Sequence, residues 1–474
     1  MNLSRNIQIN QKRLILSILI YFGYGLFALR SQTIGSSLLD FEIQIQEPFM
    51  VTSRAIGLYA IGSMFGSVIY GFFDKKVNIH LVQIVTCVSS GITIGSIPFM
   101  RNFLSLGAST FLLGIENAIF HVVCNLAILT IWSKKASYFL QFLGMFYGIG
   151  SMLAPMLVLP FLLPIPKNVD EDWNAIRAMY TPDDVQIKWP YTVIGVLSVV
   201  AGLTFVYFYF DDDQQHTDTV ATDNKERNPK VEENSGHVPK TDITDNDVDN
   251  TNQTSSKLKI LFVVIWVAIQ AHLVFSFQLI LCSFVQAFGV RHTFKMEKKS
   301  SALVASLFWA AYMISKLIFV ILSMTIGEAK IVNLCYTLTG TALILLLSLA
   351  NYYEMCLWIA CGALELGYSP LFALSYASLD NYFQVTGRQT SFIFLVGILG
   401  ESLHTTIVGA LMDQHPPLFI YYVGTLGTIF LLMTISLPFL CKRLFGDPDK
   451  KRLRIFVSKA PVTRLASLNP SLGG

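Results

Sequence analysis

Charged side chains are scarce in this sequence, and their scarcity argues against an ordinary soluble protein. Only 14% of the 474 residues are Asp, Glu, Lys or Arg, while 53% are hydrophobic. Soluble proteins carry roughly 25% charged residues, so this composition predicts that lipid is the main solvent of the chain. The formal net charge of +3 is also too small to indicate nucleic-acid binding.

Cysteine clusters and catalytic signatures are lacking as well. The seven cysteines are odd in number, lie within or at the end of apolar segments, and have no histidines at ligand spacing. They therefore predict neither a disulfide framework nor a metal site. The sequence contains no nucleophile motif and no phosphate-binding loop. We predict a protein that is not an enzyme and that uses no cofactor or metal.

What the sequence does have is a series of long apolar runs. A membrane-spanning helix needs about 20 mostly apolar residues. The run from Leu14 to Leu39 is longer than the apolar core of a signal peptide and lacks a clear cleavage site, so we predict a retained spanning helix there. The twelve predicted spanning helices are 13–38, 52–73, 80–99, 103–132, 137–163, 188–210, 258–288, 301–326, 330–350, 354–383, 389–411 and 417–441.

One hydrophilic stretch divides this series into two sets of six helices. Residues 211–257 are rich in Asp, Asn and Thr and predict a disordered, acidic cytoplasmic linker. A six-helix bundle over 1–210 precedes the linker, and a second bundle over 258–441 and a basic tail over 442–474 follow it. The predicted fold class is therefore an all-α integral membrane protein made of two pseudo-symmetric bundles.

Lysines and arginines in short loops predict the orientation of these helices. They lie before the first helix, after the second and fourth, and after the twelfth, which places them all on one side. We predict that this side is the cytoplasm, that both termini lie there, and that the plasma membrane is the default location. The loop over 291–299 would then lie outside although it is basic, an exception to the rule. Its basic residues are Arg291, Lys295, Lys298 and Lys299.

The two halves carry matching residues at a near-constant separation along the chain. Glu116 in the fourth helix corresponds to Glu365 in the tenth, and Gly150 in the fifth corresponds to Gly400 in the eleventh. Matches on helices of equal rank indicate parallel repeats, the architecture of an alternating-access carrier.

A glycine-rich pattern closes the second helix, where Gly66 and Gly71 are followed by Asp74, Lys75 and Lys76. Glycines allow a neighbouring helix to approach closely, which predicts a gating hinge at this turn. The simpler alternative is that the lysines only fix the topology. The pattern resembles the loop between helices 2 and 3 of the major facilitator superfamily.

Several further stretches carry a more specific resemblance: Thr33–Asp40, Phe139–Leu143, Gly148–Gly150, Ser306–Trp309, Cys356–Ala360, Ser369–Pro370 and Gly397–Glu401. They resemble the sodium-dependent glucose transporter-like branch of that superfamily, itself similar to bacterial fucose permease. The resemblance implies a carrier for a sugar-like solute, with sodium ion or proton as the candidate coupling cation.

The positions that hold cargo in that branch differ here. The branch tends to have an acidic residue followed four positions later by Asn in helix 4, where this sequence has His121 and Asn125. Gln141 matches the branch in helix 5, but the polar residue expected three positions later is Gly144. In helix 7 a glycine pair is expected near Gln278. These differences indicate a different or larger cargo, or none.

A polar stripe marks the fourth helix, because Asn117, His121 and Asn125 recur every four residues. Amides and an imidazole suit a hydroxyl-bearing solute, since each needs hydrogen-bond partners when it is buried. Together with Gln141 and Gln278, these are the predicted substrate-binding residues. Hydrogen bonding between helices is an equally favoured alternative for the stripe.

Ionisable residues within the spans are candidate sites because charge is costly in hydrocarbon. The predicted coupling or buried-charge residues are Arg30, Asp40, Glu116, Lys316, Glu365, Glu401 and His404. Glu116 either titrates with a coupled proton or pairs with a cation on another helix. For Lys316 we favour structural pairing, and for Arg30 a role in the cavity. His404 either exchanges a proton with Glu401 or packs as a satisfied histidine.

The seventh helix is unusually polar, with Gln270, His272, Gln278 and Gln286. This polarity predicts a water-accessible or substrate-lining helix. Pro370 falls within the tenth predicted helix and predicts a kink that a moving gate can use.

The sequence as a whole predicts a secondary transporter that moves a small polar organic solute across a lipid bilayer by rocking of its two halves. The alternative is a non-transporting membrane partner or regulatory scaffold built on the same fold, which would explain the changed cargo positions. The many buried charges favour the transporter, because a pure scaffold has little reason to keep them.

Overall fold

The computed structural model describes residues 2–73, 77–132, 136–164, 177, 179–226, 248–292, 295–325, 328–383 and 385–446. Most of these residues are helical. The helices are α1 Asn2–Ser36, α2 Leu38–Ile45, α3 Phe49–Phe73, α4 Ile79–Ser96, α5 Phe103–Trp132, α6 Ala136–Val158, α7 Lys188–Glu226, α8 Val248–Arg291, α9 Lys298–Thr325, α10 Glu328–Leu349, α11 Glu354–Tyr368, α12 Leu371–Ser378, α13 Gly387–Gln414 and α14 Leu418–Phe445.

Every one of the twelve predicted spans coincides with helix in the structure. Within the described residues, eleven helical segments are long and apolar enough to cross a membrane. The remaining predicted span, 52–73, lies in α3, a helix of 25 residues. The basic tail lies outside the described residues except for its first few, which end α14. The described residues at both ends of the predicted disordered linker are helical. The helix α7 continues to Glu226, and α8 begins at Val248.

Local chemistry explains several helix boundaries. Asn78 accepts a hydrogen bond from the backbone N–H of His80 at 2.8 Å and so begins α4. Thr386 and Gln389 form a reciprocal capping box at the start of α13. Gln46 adopts a left-handed conformation with φ 57° and ends α2.

Two spans are broken near their middle or end. The first span is divided at Ser37, which separates α1 from α2. The tenth span is divided between α11 and α12, where Pro370 occupies the N-cap position of α12. Proline lacks a backbone N–H, so it is tolerated at a helix start better than inside a helix. The kink predicted at Pro370 is therefore a junction between two helices.

Helix contacts repeat between the halves. In the first half α1 packs on α6 and α3 on α5, while in the second half α8 packs on α13 and α9 on α11. The halves meet along α3 with α13, along α6 with α9, and along α1 with α8. The pair α1–α6 occupies the same place in its half as α8–α13 in the other. This arrangement is that of parallel repeats related by an axis along the membrane normal.

The matched glycines lie at the matched crossings. A Cβ atom on Gly150 of α6 would lie 2.0 Å from the carbonyl oxygen of Gly25 on α1. A Cβ atom on Gly400 of α13 would lie 2.7 Å from the carbonyl oxygen of His272 on α8. Both crossings therefore require glycine, because a side chain would push the two helices apart.

We expect Gly114→Ala to lower the apparent unfolding temperature in detergent. The added Cβ would lie 2.1 Å from the carbonyl oxygen of Tyr59, so α3 and α5 would have to separate. Overpacking of this kind costs about 1–3 kcal/mol. Gly144→Ala is the matched control, since nothing lies within 4 Å of its added Cβ. An unchanged unfolding midpoint for Gly114→Ala would contradict the close packing of α3 on α5.

Candidate functional site

The two faces of the bundle differ in how the halves meet. We call the face where α1 begins and α14 ends the terminal face, and the opposite face, where α2, α8 and α13 end, the distal face. Ion pairs join the halves at the distal face. Lys298 at the start of α9 pairs with Asp40 of α2, and both side chains are almost fully buried.

Arg291 is the centre of the distal contact. Its Nη2 atom lies 2.5 Å from Oε2 of Glu42, and its Nη1 atom lies 2.8 Å from Oδ1 of Asp413. The second oxygen of Asp413 accepts a hydrogen bond from the backbone N–H of Met50 at 2.6 Å. Only 6% of the Arg291 side chain and 1% of the Glu42 side chain is exposed. One arginine therefore ties α2 of the first half to α8 and α13 of the second.

These ion pairs involve the basic loop over 291–299. Two of its four basic residues, Arg291 and Lys298, have carboxylate partners in the first half. Arg291 and Lys298 therefore have a structural role in joining the halves, whichever side of the membrane this loop faces.

Close packing continues beneath the ion pairs. Phe49 of α3 contacts Phe284 of α8 edge to face, with ring centroids 5.8 Å apart, and the Arg291 guanidinium lies 4.3 Å from the Phe49 ring centroid. A Cβ atom on Gly35 would lie 2.9 Å from Ser283, so α1 and α8 touch without an intervening side chain. The halves are thus sealed from the distal face down toward mid-membrane.

A cluster of polar and aromatic side chains lies below this seal, where the halves meet. Gln32 of α1 donates a hydrogen bond to the Tyr147 hydroxyl at 3.3 Å and accepts one from the Cys282 thiol at 3.3 Å. The Tyr147 ring of α6 lies 5.5 Å from Trp309 and 6.4 Å from Tyr312, both on α9. We call these residues, together with Gln278, Lys316, Glu365 and Glu401, the central cluster.

The second half supplies the charges of the central cluster. Glu365 is fully buried, and its Oε1 atom accepts a hydrogen bond from Gln278 at 2.7 Å while its Oε2 atom has no partner. Lys316 donates to the carbonyl oxygen of Ser369 at 3.4 Å and lies 4.8 Å from the Tyr312 ring centroid. The lysine therefore joins α9 to the break between α11 and α12.

Glu401 faces the same region from α13. It lies near enough to Tyr59 of α3 and Cys282 of α8 to act on both electrostatically. Glu365 also acts on Cys282. Both matching acids of the second half therefore lie within electrostatic range of Cys282, a proximity that the sequence alone did not establish.

Arg30 belongs to a different, fully buried cluster within the first half. Its Nε atom donates to Asn117 at 3.0 Å and its Nη1 atom donates to Ser198 at 2.8 Å. Asn117 in turn donates to the Tyr59 hydroxyl at 3.2 Å. Arg30 has 0% exposure, so in this conformation it ties α1, α5 and α7 together instead of lining a cavity. The polar atoms of Asn117 are likewise engaged by the protein.

Glu116 also forms its hydrogen bond inside the first half. Its Oε1 atom accepts from Thr93 of α4 at 3.2 Å, and its Oε2 atom has no partner. Glu116 lies within electrostatic range of Arg30 without a direct ion pair between the two. Glu116 and Glu365 therefore occupy matching positions in the two halves but have different surroundings. Glu116 bonds within the first half, and Glu365 belongs to the central cluster.

His121 and Asn125 occupy the open part of the fourth span. His121 is exposed, and its ring lies 5.6 Å from that of Tyr24 and 5.7 Å from that of Phe27. Asn125 donates to the Tyr24 hydroxyl at 3.4 Å and to the carbonyl oxygen of His121 at 2.8 Å. His121 is therefore exposed on the terminal side, whereas the Arg291–Glu42 and Lys298–Asp40 pairs at the distal face are buried.

The remaining predicted residues have mixed outcomes. Asp74, Lys75, Lys76 and the side chain of Gln141 lie outside the described residues. An added Cβ on Gly71 would meet nothing within 4 Å, so the close approach expected there occurs at the preceding glycine of the pattern. That glycine, Gly66, would place a Cβ 2.3 Å from the carbonyl oxygen of Ile115.

His404 has other partners than the one suggested by its spacing from Glu401. It hydrogen-bonds to His272 of α8 and to Tyr422 of α14. Residues three positions apart on a helix share a face only approximately. Here His404 and Glu401 contact different neighbours. Sequence reasoning also missed Glu42 and Asp413 at the distal face. Both are acids near the ends of predicted helices, and the basic loop over 291–299 could have suggested partners for them.

Comparison with known proteins identifies the family. A model of the Major Facilitator Superfamily matches residues 14–403. The chain belongs to this superfamily. It is therefore a multi-pass membrane transporter and not an enzyme, as its composition and motifs predict.

Similar proteins support the branch named from the sequence. The chain is 22% identical to Homo sapiens sodium-dependent glucose transporter 1 over 408 residues, which cover 83% of this chain and 72% of that protein. It is 20% identical to Danio rerio major facilitator superfamily domain-containing protein 4B over an alignment of 482 positions, gaps included, which covers 92% of this chain and 88% of that protein.

Solved structures support the fold. A bacterial homologue of the human lysosomal transporter Spinster, in an inward-facing and unoccupied conformation, matches with a TM-score of 0.60 at 12% identity, covering 91% of this chain and 97% of that chain. The peptide transporter POT in complex with sulfate matches with a TM-score of 0.61 at 10% identity, covering 90% and 94%. The predicted fold class is confirmed.

We expect Arg291→Gln to loosen the distal seal. The glutamine loses both ion pairs, so the distal ends of the halves separate more often and Cys282, now 4% exposed, meets solvent. Maleimide modification of Cys282, followed by peptide mass spectrometry, should become several-fold faster.

Arg101→Gln is the matched control for this variant. Arg101 pairs with Asp183 at 2.8 Å, but both side chains are largely exposed and belong to the same half. Its loss should leave Cys282 modification unchanged. Equal rates in Arg291→Gln and the parent would show that the ion pairs do not hold the distal seal.

Proposed function

We propose that this protein is a secondary transporter for a small, polar, hydroxyl-bearing organic solute that resembles a sugar. The observation that carries the proposal is the central cluster, which lies where the two halves meet and is sealed on one side. Alternating access requires a site that either half can expose in turn, and this position meets that requirement.

The chemistry of the central cluster suits a sugar-like cargo. The rings of Tyr147, Trp309 and Tyr312 supply flat apolar surfaces, and Gln32 and Gln278 supply amide donors and acceptors. A binding site of this kind combines aromatic surfaces with a few placed polar groups. The name of one similar protein, sodium-dependent glucose transporter 1, points to the same class of solute.

We further propose that His121 and Asn125 form the terminal side of the cargo path. Both lie on the open side of the fourth span, and His121 is exposed. Asn117 is a weaker candidate for cargo binding than the sequence suggested, because Arg30 and Tyr59 already satisfy its amide. The engagement of Asn117 by the protein itself is the observation that favours the alternative of a non-transporting scaffold.

A coupling cation, sodium ion or proton, is proposed to bind at Glu365 and Glu401. A buried carboxylate with an unpartnered oxygen, as in Glu365, is stabilised by a bound cation or by a proton. Lys316 lies near enough to act on Glu365, so a bound cation would compete with the lysine for that carboxylate. Glu116, bound to Thr93 within the first half, is proposed to be structural.

The conformation then follows from the proposed orientation. With both termini in the cytoplasm, the sealed distal face is the outer face and the open terminal face is the inner one. The plasma membrane is the proposed location. Opening toward the outside would require the distal ion pairs to separate and the terminal ends to close.

Counterflow in reconstituted vesicles tests the cargo. Vesicles preloaded with a hexose or another polyol should accumulate the radiolabelled solute against its gradient for a limited time. A panel of hexoses and linear polyols should include at least one member that shows counterflow. If correctly folded protein moves no member of the panel, the scaffold alternative replaces the transporter for this class of solute.

Coupling is tested with Glu365→Gln. Uptake of the solute that passes the counterflow test is measured against pH and against sodium concentration. The variant should lose the ion dependence of the parent while still exchanging solute, because an amide cannot bind the cation or release a proton in the same way. Retained ion dependence would remove Glu365 from the coupling role.

Glu354→Gln is the control for that measurement. Glu354 lies at the start of the same helix, α11, where it bonds to Trp358 at 3.3 Å away from the central cluster. It should keep the ion dependence of the parent. A loss in both variants would point to a general effect on α11 instead of coupling through Glu365.

A further inference from the structure

A chain of hydrogen bonds crosses the second half outside the central cluster. His272 of α8 contacts the carbonyl oxygen of Val396 through Nδ1 at 3.2 Å, and its Nε2 lies 3.0 Å from Nε2 of His404 on α13. Nδ1 of His404 lies 2.5 Å from the hydroxyl of Tyr422 on α14. The chain links three helices that all belong to the same half.

The Val396 carbonyl at one end determines which atom donates in each hydrogen bond of the series. A carbonyl oxygen only accepts, so Nδ1 of His272 must carry a hydrogen. In neutral His272 the Nε2 atom is then an acceptor, and Nε2 of His404 must donate to it. Neutral His404 in turn has a bare Nδ1, which accepts from the Tyr422 hydroxyl. The two histidines are therefore held in opposite tautomers.

The same geometry limits how many protons the pair can take up. One proton added at Nδ1 of His404 reverses the bond to Tyr422, whose hydroxyl turns from donor to acceptor, and no bond of the chain is lost. That proton can also shift along the chain, leaving Nε2 of His404 bare and Nε2 of His272 protonated. A second proton would place two N–H groups against each other at 3.0 Å and break the central bond.

We propose that His272 and His404 form a proton-binding site that accepts one proton per molecule, entering from the side of Tyr422. The site differs from Glu365 and Glu401, because its partners are Val396 and Tyr422 and not members of the central cluster. The proposal depends on this hydrogen-bond geometry and does not depend on the identity of a transported solute.

The surroundings leave the pair without a fixed countercharge. In the described part of the chain neither ring forms an ion pair with a carboxylate, and Tyr422 is the titratable group that bonds to the pair from α14. On α8 the Ser276 hydroxyl donates a hydrogen bond to the carbonyl oxygen of His272. Glu401 of α13 acts on α3 and α8 in the central cluster.

Gly400 makes the site possible. A Cβ atom there would lie 2.7 Å from Nδ1 of His272 and 2.5 Å from the hydroxyl of Ser276. The imidazole therefore reaches the Val396 carbonyl only because position 400 has no side chain. The tight crossing of α8 on α13 and the proton-binding pair are two consequences of the same glycine.

Histidine ring NMR tests the proposal on the full-length protein in detergent or nanodiscs. Protein labelled with ¹⁵N in its histidine rings is titrated from about pH 8 to about pH 4, beyond the range in which histidines ordinarily change charge, because no carboxylate among the described residues pairs with either ring. The variants His272→Gln and His404→Gln assign the two rings. At the upper end we expect His272 as the Nδ1–H tautomer and His404 as the Nε2–H tautomer.

On acidification the pair should gain one proton and then resist a second one over the rest of the range. Equal tautomers for the two rings, or uptake of two protons by the folded protein, would overturn the proposal. The absence of any protonation across the range would overturn it as well. His415→Gln, at the end of the same helix, is the control and should leave both ring signals unchanged.

Tyr422→Phe separates this site from a purely structural contact. The variant removes the group that accepts the hydrogen bond from protonated His404, so proton uptake by the pair should shift to lower pH while the rings keep their tautomers at the upper end. An unchanged titration in a variant that unfolds at the parental temperature would show that Tyr422 does not serve the proton-binding site.

Discussion

Arg291 bridges carboxylates from opposite halves and, together with the Lys298–Asp40 pair, joins the halves at the distal face. Arg291 and Glu42 are almost fully buried and have lost most of their hydration, whereas the Asp413 side chain is 25% exposed. The attraction between such groups is strong, but the cost of removing them from water is of similar size, so the net stabilisation is small. A weak net contribution from specific contacts suits a closure that must open again in every transport cycle.

The central cluster depends on that closure. With the distal side sealed, Gln32 bonds to Tyr147 and Gln278 bonds to Glu365. In the proposed function, a cargo that enters from the terminal side has to exchange these protein–protein hydrogen bonds for its own. Selectivity then comes from geometry, because a solute whose hydroxyls cannot replace them leaves buried polar groups without partners.

The spans and the two halves were predictable because a bilayer imposes one length on every helix that crosses it. The partners of the polar residues were not. The sequence predicts Asn117 as part of a solute-binding stripe, but in the structure Arg30, which is remote in sequence, is bound to it. Similarly, the basic loop is an exception to the topology rule in the sequence, but in the structure its Lys298 pairs with Asp40. Periodicity defines which residues share a helix face, but not which neighbour that face meets.

The matched crossings at Gly150 and Gly400 illustrate how duplicated halves can diverge. In the first half the glycine meets another glycine backbone, and in the second half it meets the ring of His272. The tight crossing is shared by both halves, and the imidazole occupies it in one copy only. At the proposed proton-binding site, acidity therefore acts on one bundle and has no counterpart at the matched crossing of the other.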